Sequence, residues 1–195
     1  MEKLPLSREK AWELLKKYNS EQADLNHYLE SEAVMRGLAE HLREDVEYWG
    51  MLGLLHDIDW GVTKENVSTH LTKMPEILHE AGFSNEFIEN ILSHGYGFEE
   101  LPHLKDKRRS KKIEHALSAG ETVTGLVHAY ALMRGKKVSD MEAKGLMKKY
   151  KDKTFAAKIE RNIIKEIEEM GLSLEEFFKI AINAIKKIKD NVGLE

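Results

Sequence analysis

The sequence predicts an all-α protein, and two features of its composition carry this prediction. Prolines occur only at positions 5, 75 and 102, which leaves long stretches rich in Lys, Glu, Leu, Ile and Ala, residues that are common in helices. The runs of valine and threonine that would indicate strands are missing. With 195 residues, of which 42% are hydrophobic and 33% charged, the chain is long enough for one globular domain with a sizeable core.

Capping residues and the spacing of apolar side chains predict where the helices lie. Ser7 is suited to cap the first helix, and Ser173, with Glu176 following it, forms a capping-box pattern for the last one. A polar loop covers residues 59–66, and a basic run at 148–153 interrupts the helical pattern. The first predicted helix begins after Ser7, and another begins at residues 139–140. The remaining predicted helices cover about residues 23–42, 45–56, 68–78, 84–94, 110–133, 155–170 and 173–189.

The charge balance and the absence of cysteine exclude several classes of protein. The net charge of -4 argues against broad nucleic-acid binding, which needs a surplus of Lys and Arg to neutralise phosphates. Cysteine is absent, so disulfides, zinc–thiolate sites and a thiol nucleophile are excluded, and any metal must be held by His, Asp or Glu. The amino terminus, residues 1–6, carries no apolar core of signal-peptide length, and no segment approaches the length of a membrane span. We therefore expect a soluble, cytoplasmic protein.

The most informative motif is the pair His56-Asp57, which follows an apolar helical run in Gly53-Leu54-Leu55-His56-Asp57-Ile58-Asp59. It places an imidazole and a carboxylate side by side at the end of a predicted helix. A hydrolytic metal site built from several helices would leave such donors spread along a sequence. The full series of candidate metal ligands is His27, His56, Asp57, His70, His94 and Glu121.

Helical spacing attaches these candidates to buried or close-packing faces. His27 shares the apolar face of Val34 and Leu38, and Asp57 follows Gly53 by one helical turn, where a glycine lets another helix come close. A single buried histidine is most often satisfied by a backbone carbonyl. A buried carboxylate without a cation or hydrogen bonds is strongly unfavourable. For several such groups on separate helices, a shared divalent cation is the interpretation that satisfies them together.

This order of residues resembles the HD-domain metal-dependent phosphohydrolase superfamily, whose signature is H…HD…D. The resemblance covers most of the chain, from about Ala23 to the last helix, and the HD core is its specific part. Further stretches are similar to an uncharacterised branch of predicted HD hydrolases: Asn26-His27, Glu32-Ala33-Val34-Met35-Arg36, Leu38-Ala39, Leu54-Leu55-His56-Asp57-Ile58-Asp59, Ala116-Leu117, Thr124-Gly125-Leu126 and Lys148-Lys149-Tyr150-Lys151-Asp152-Lys153-Thr154-Phe155-Ala156.

The resemblance implies an HD-type helical bundle with a C-terminal helical extension. We expect residues 1–135 to form the metal-binding core and residues 136–195 to form the extension, packed on that core within one structural domain. The resemblance implies that one metal ion is held by His27, His56, Asp57 and Glu121. His70 and His94 match the extra histidines of HD proteins that carry two metals, with Asp57 as the bridge.

The chain departs from the family pattern at two positions. The distant carboxylate is usually Asp, and here it is Glu121, which is one methylene longer. Gly95 follows His94 where the two-metal pattern often has a second histidine. The expected cofactor is therefore one divalent ion, or two, from the set Mn, Fe, Co, Ni and Zn, which a site of His and carboxylate ligands suits.

The predicted catalytic residues are Asp57, Asp59 and His70. Asp59 either orients or deprotonates the metal-bound water or is a solvated loop acid or cap, and His70 either binds metal or substrate phosphate or is merely exposed. The basic run from Lys105 to Arg109 either steers an anionic substrate or is a solvated face. The remaining histidines are expected to be structural or exposed, with a metal-supporting role left open at the first of them: His128, His41, His79, His103 and His115.

We therefore predict a metal-dependent phosphohydrolase that cleaves a phosphate ester, with nucleotides among the candidate substrates, through metal-activated water. The alternative is a non-catalytic regulatory HD protein that binds a metal or a nucleotide, because an altered ligand at Glu121 can retain binding and lose catalysis. A third hypothesis is a helical interaction module with structural histidines. The expected partner is a small phosphorylated molecule, with no membrane. The pair Phe177-Phe178 is expected to bury the last helix, with a dimer face as the alternative, so a homo-oligomer stays open.

Overall fold

The computed structural model describes residues 3–195, which contain helices, turns and no strand. The all-α prediction is confirmed. The α-helices are α1 (Arg8–Tyr18), α2 (Gln22–Leu42), α3 (Val46–Leu55), α4 (Trp60–Thr63), α5 (Met74–Glu80), α6 (Asn85–Leu92), α7 (Lys112–Met133), α8 (Ala143–Lys151), α9 (Arg161–Lys165) and α10 (Leu174–Lys187). Shorter 3-10 segments cover Lys64–Thr69, Ser93–Gly95, Glu166–Met170 and Lys189–Val192. Within residues 3–195, no helix is both long and apolar enough to cross a membrane.

The centre of the fold is the packing of α3 against α2. A Cβ atom at Gly53 would lie 2.6 Å from the carbonyl oxygen of Ser31 and 2.9 Å from Cγ of Met35. The two helices therefore approach so closely that only a hydrogen fits at this position. The apolar side chains around the contact, among them Val34 and Leu52, are fully buried. This contact sets the end of α3, where His56 and Asp57 follow, beside the middle of the molecule.

Helix α7 packs against α2 and also contacts α3, and the C-terminal helices cover α2 and α7. A Cβ atom at Gly120 would lie 2.9 Å from Sδ of Met35, so α7 also approaches α2 closely. Helix α10 contacts α2, α7 and α8, while α9 and the segment Glu166–Met170 contact α7. Phe177 and Phe178 are fully buried within the chain. The extension is thus packed along the core helices, and its description as a separate unit after residue 135 stays a prediction.

Helix ends with strong capping signals lie where the sequence predicts them. Ser7 accepts a hydrogen bond from the backbone N–H of Lys10 at the start of α1. Ser173 and Glu176 form the predicted capping box of α10.

The structure differs from the predictions in four segments. Residues 59–66, predicted to be a loop, form α4 and part of the 3-10 segment that follows, and the helix predicted at 68–78 begins only at Met74. The residues just before Met74 are not helical, because backbone N–H groups of this segment donate hydrogen bonds to the carboxylate of Asp59. The helix predicted from 139–140 begins at Ala143. Of the helix predicted at 155–170, only α9 and a 3-10 segment exist, because carbonyls before residue 160 bind Arg161 instead of helical N–H groups.

Replacing Gly53 by alanine is expected to destabilise the fold by about 1–3 kcal/mol, because backbone atoms of α2 cannot move out of the way of the new methyl group. The free energy of unfolding is measured by chemical denaturation. The matched control is Gly145→Ala, where the added Cβ meets only the hydroxyl end of the Tyr130 side chain. Equal stabilities of the two variants would contradict the close contact of α2 and α3.

Candidate metal centre

His56 is positioned by the last turn of α3. It is the C-cap residue of this helix, keeps helical backbone angles, and its side chain is fully buried. Its Nδ1 lies 2.8 Å from the carbonyl oxygen of Gly53. Because a carbonyl can only accept, Nδ1 carries a proton, so the neutral form of the ring presents a lone pair at Nε2.

His27, on α2, presents its Nε2 atom in the same way. The hydroxyl of Thr124 donates to the carbonyl oxygen of Glu121 at 2.6 Å. The oxygen of Thr124 therefore accepts from Nδ1 of His27, which lies 3.0 Å away. The Nε2 atoms of His27 and His56 face each other at 3.1 Å. Two lone pairs at this separation repel each other unless a proton or a cation lies between or beside them.

His94 and His70 approach Asp57 from two further segments. Nδ1 of His94 donates to the carbonyl oxygen of Ile91 at 2.7 Å, and its Nε2 lies 3.1 Å from Oδ1 of Asp57. Nε2 of His70 also lies 3.1 Å from Oδ1 of Asp57, while its Nδ1 lies 3.1 Å from Oδ1 of Asp59. All four imidazoles thus have an acceptor beside Nδ1 and turn Nε2 toward one centre.

This donor set fits one or two divalent transition metal ions. Within residues 3–195, two groups have ligand atoms that all lie within 4.8 Å of one another: His27, His56 and Asp57, and Asp57, His70 and His94. Asp57 belongs to both groups. Neutral imidazoles and a carboxylate suit Zn, Fe, Mn, Co and Ni. The acceptors at Nδ1 are the outer-shell partners that fix the tautomer and ring orientation of a ligand histidine.

The surroundings set the protonation state of each of these groups while no cation is bound. Burial and the neighbouring His56 lower the pKa of His27 to about 3, so this ring is neutral. Burial alone would raise the pKa of Asp57, but His56 and His70 lower it well below its usual range. Burial lowers the pKa of His70, but Asp57 and Asp59 outweigh this and raise it to about 10. The proton on His70 thus balances the charge of Asp57 when no cation does, and a cation would displace it.

Glu121 lies beside the two groups but belongs to neither. Its Oε2 atom is 4.0 Å from Nε2 of His27. Its carboxylate is largely buried, and burial raises its pKa. The structure therefore brings Glu121 to the edge of the first group, and its role as a metal ligand stays a prediction.

Asp59 lies behind His70. It is fully buried and accepts hydrogen bonds from the backbone N–H groups of Leu71, Lys73 and Met74 at 3.3, 3.0 and 3.1 Å. Its carboxylate thereby holds the segment after His70 and faces Nδ1 of that ring. This geometry favours positioning of His70, and the direct catalytic role of Asp59 stays a prediction.

A cavity of about 360 Å³ opens onto the cluster. The wall nearest the candidate ligands consists of Asp57, His70, His94 and Glu121. The rest of the lining comes from the segment after His94 and from the C-terminal extension: Val67, Gly95, Phe98, Glu100, Leu101, Lys158 and Glu160. The sequence analysis assigned no chemistry to the extension, yet two of its charged residues reach this cavity.

Arg109 is a supporting residue that the sequence analysis missed. Its Nη1 atom donates to the carbonyl oxygens of Ser93, His94 and Tyr96 at 2.9, 3.3 and 2.9 Å. Its Nε and Nη2 atoms donate to Glu166 at 2.6 and 2.7 Å. Arg109 therefore ties the turn that carries His94 to the C-terminal extension. Its place in a run of basic residues gave no sign of this, because exposed and buried arginines look alike in sequence.

The other histidines lie where they were expected, as structural or exposed residues. His115 pairs with Glu166 at 2.7 Å, and His128 pairs with Glu30 at 2.6 Å. The exposed ones are His41, His79 and His103.

Glu166→Gln is expected to destabilise the protein by about 1–3 kcal/mol near neutral pH, because it leaves the buried Arg109 without its charged partner. Burial raises the pKa of Glu166, but hydrogen bonds from Arg109 and His115 outweigh this and lower it. The contribution of the pair is therefore complete above the pKa of the unfolded chain and is lost as the pH falls through the lower, folded pKa. Denaturation at several pH values should show the variant and the wild type converging in acid. The control Glu169→Gln removes an exposed carboxylate and should leave stability unchanged at every pH.

Adding Mn²⁺, Co²⁺, Ni²⁺ or Zn²⁺ to chelator-treated protein is expected to stabilise it, by about 2.7 kcal/mol when the free ion exceeds its Kd a hundredfold. His56→Ala should lose most of this stabilisation, whereas the exposed His79→Ala should keep it. Thermal unfolding and elemental analysis of the same samples provide the measurement. A wild type that no ion stabilises, or a His56→Ala protein that responds as the wild type does, would contradict the metal centre.

The comparison with known families agrees with this geometry. The model of the HD domain matches residues 24–132, more than half of the chain, and this segment runs from α2 to the end of α7. No curated protein and no solved structure matches the chain. The matched segment contains all six candidate ligands, and the predicted all-α HD bundle is confirmed. The chain belongs to the HD domain family.

Proposed function

We propose that this protein is a metal-dependent phosphohydrolase that cleaves a phosphate ester of a small molecule. HD domains bind divalent metals and are generally metal-dependent hydrolases. The observation that carries the proposal is the convergence of four Nε2 atoms on Asp57 at the wall of an open cavity. Two of these imidazoles, those of His70 and His94, line the cavity together with Asp57, and a cluster that served only structure would have no reason to face a space that a substrate can enter.

The proposed ligands divide into two sets that share Asp57. His27 and His56 would hold one cation with Asp57, and His70 and His94 would hold a second one with it. When bound, such a cation acts as a Lewis acid toward the phosphoryl group and lowers the pKa of water. The protein's own residues orient the imidazoles through Thr124, through the backbone carbonyls of Gly53 and Ile91, and through Asp59.

The proposed substrate is a phosphate ester with a leaving group larger than a simple alkyl chain. The cavity at the cluster adjoins a second one of about 510 Å³, and both are lined by Phe98, Glu100 and Glu160. The ring of Phe98 offers an apolar surface against which a base or sugar can pack. The two carboxylates can accept hydrogen bonds from hydroxyl or amino groups. Nucleotides have these groups and remain among the candidate substrates.

The test is hydrolysis of a panel that contains p-nitrophenyl phosphate and nucleoside 5′-monophosphates, with each of the five metals. Asp57→Asn is expected to lose bound metal and to lower kcat/KM by at least about a thousandfold, or about 4 kcal/mol of barrier. Asp190→Asn removes an exposed carboxylate and should behave as the wild type. An Asp57→Asn protein that keeps its metal and full activity would refute the proposal.

The alternative function is a regulatory protein that binds a metal or a nucleotide without turnover. The position of Glu121 outside both ligand groups favours it, because the family pattern has the shorter Asp there. Glu121→Asp separates the two functions. If the wild type hydrolyses no member of the panel and this variant does, the wild type is the non-catalytic form. If the wild type is active, the alternative is wrong.

A further inference from the structure

One wall of the cavity at the metal centre comes from residues 152–160, which we call the extension loop. It lies between α8 and α9 and forms turns rather than helix. Lys158 and Glu160 of this loop line the cavity together with the candidate metal ligands. A segment far along the chain from the HD motif thus contributes charged groups beside the proposed reaction centre.

The extension loop is held in shape by the side chain of Arg161. Its Nη1 atom donates to the carbonyl oxygens of Ala156 and Ile159 at 2.6 and 2.7 Å. Its Nη2 atom donates to the carbonyl oxygens of Phe155 and Asp152. The backbone of Ala156 is in the left-handed region, with φ of 47°, which a residue with a side chain adopts only where its surroundings require it. The guanidinium of Arg161 therefore donates hydrogen bonds to carbonyl oxygens that would accept from backbone N–H groups in a helix, and this gives the loop a defined conformation.

The loop is also fixed in position relative to the metal centre. A Cβ atom at Gly125 of α7 would lie 3.2 Å from Cδ1 of Ile159, so the loop packs tightly on this helix. Gly125 is one helical turn after Glu121, which lines the cavity. Ile159 is the neighbour of Lys158 in sequence. The contact of Ile159 with α7 therefore sets the exposed Lys158 beside the cavity.

Lys158 is the one Lys or Arg side chain among the described residues of the cavity lining, which otherwise carries four carboxylates, those of Asp57, Glu100, Glu121 and Glu160. It forms no ion pair with any residue in the range 3–195. A phosphate dianion that enters this cavity meets negative charge on several sides, so it needs positive charge both at the candidate metal ligands and on the opposite part of the lining. The metal ions would supply one, and the extension loop supplies the other.

We propose that the ammonium of Lys158 binds a non-bridging oxygen of the substrate phosphoryl group, and that the ligand of this cavity is a phosphomonoester dianion. This inference rests on the proposed function for the identity of the reaction, but the phosphate contact itself is a property of the extension loop. A lysine suits the task because a compact, mobile point charge can follow the phosphoryl group. Lys158 would act as a binding residue and not as a metal ligand.

The experiment measures the affinity of the full-length protein for inorganic phosphate by calorimetry, with Mn²⁺ bound and after chelation. Lys158→Gln is expected to weaken phosphate binding about tenfold, which is typical of the loss of one charge-assisted hydrogen bond. Lys158→Arg should restore most of the affinity. The matched control is Lys153→Gln, an equally exposed lysine of the same loop that does not line the cavity. All three variants should keep the metal content and the melting temperature of the wild type.

Turnover of p-nitrophenyl phosphate gives a second readout, in which Lys158→Gln is expected to raise KM more than it lowers kcat. The proposal is overturned if Lys158→Gln and Lys153→Gln bind phosphate alike both with Mn²⁺ and after chelation. Failure of the proposed function has a different signature: a wild type that binds no metal and hydrolyses nothing. If phosphate affinity in such a protein still depends on Lys158, the extension loop is a phosphate site and the hydrolase proposal is wrong.

Discussion

The buried carboxylate of Asp57 is the group on which the arrangement of the site depends. A charge at this depth is strongly unfavourable unless positive charge or hydrogen-bond donors surround it. Two of the imidazoles turn Nε2 directly to its Oδ1 atom, and the nearby His56 helps to keep it ionised. Each of these rings uses its Nδ1 atom elsewhere, so the compensation is incomplete without an added proton or cation. The need to neutralise Asp57 is what makes the cluster a candidate metal centre and not a set of core histidines.

The helices meet at this carboxylate because small residues remove the obstacles between them. At Gly53 of α3, the backbone of α2 comes too close for any side chain. At Gly120 of α7, the side chain of Met35 leaves no room for an added Cβ atom. The three helices can then bring His27, His56 and Glu121 to one place from distant parts of the chain. The same helix contacts therefore stabilise the core and bring the candidate ligands together.

Two arginines order the irregular segments around the site, and both do so by binding backbone carbonyls. Arg109 binds three carbonyls around His94, and Arg161 binds those of the extension loop. A guanidinium has five donors in a rigid plane, so one side chain can hold several carbonyls that lack helical partners. The irregular segments on either side of the cavity are ordered in this way without regular secondary structure. The extension thus lines the cavity at the candidate site and does not only cover the core.

The sequence by itself determined the helical class, most of the long helices and the identity of the candidate ligands. Caps such as Ser7 and Ser173, the spacing of apolar residues and the pair His56-Asp57 are local patterns. They can be read from the sequence because capping and helix formation depend on residues only a few positions apart. It did not determine the segments around residues 68–73 and 152–160, where backbone N–H groups bind Asp59 and backbone carbonyls bind Arg161. It also could not tell which nitrogen of each imidazole faces Asp57, or that Lys158 reaches the cavity. Those features depend on specific side-chain contacts that no helical or capping pattern encodes, and only the tertiary structure decides which of these groups meet.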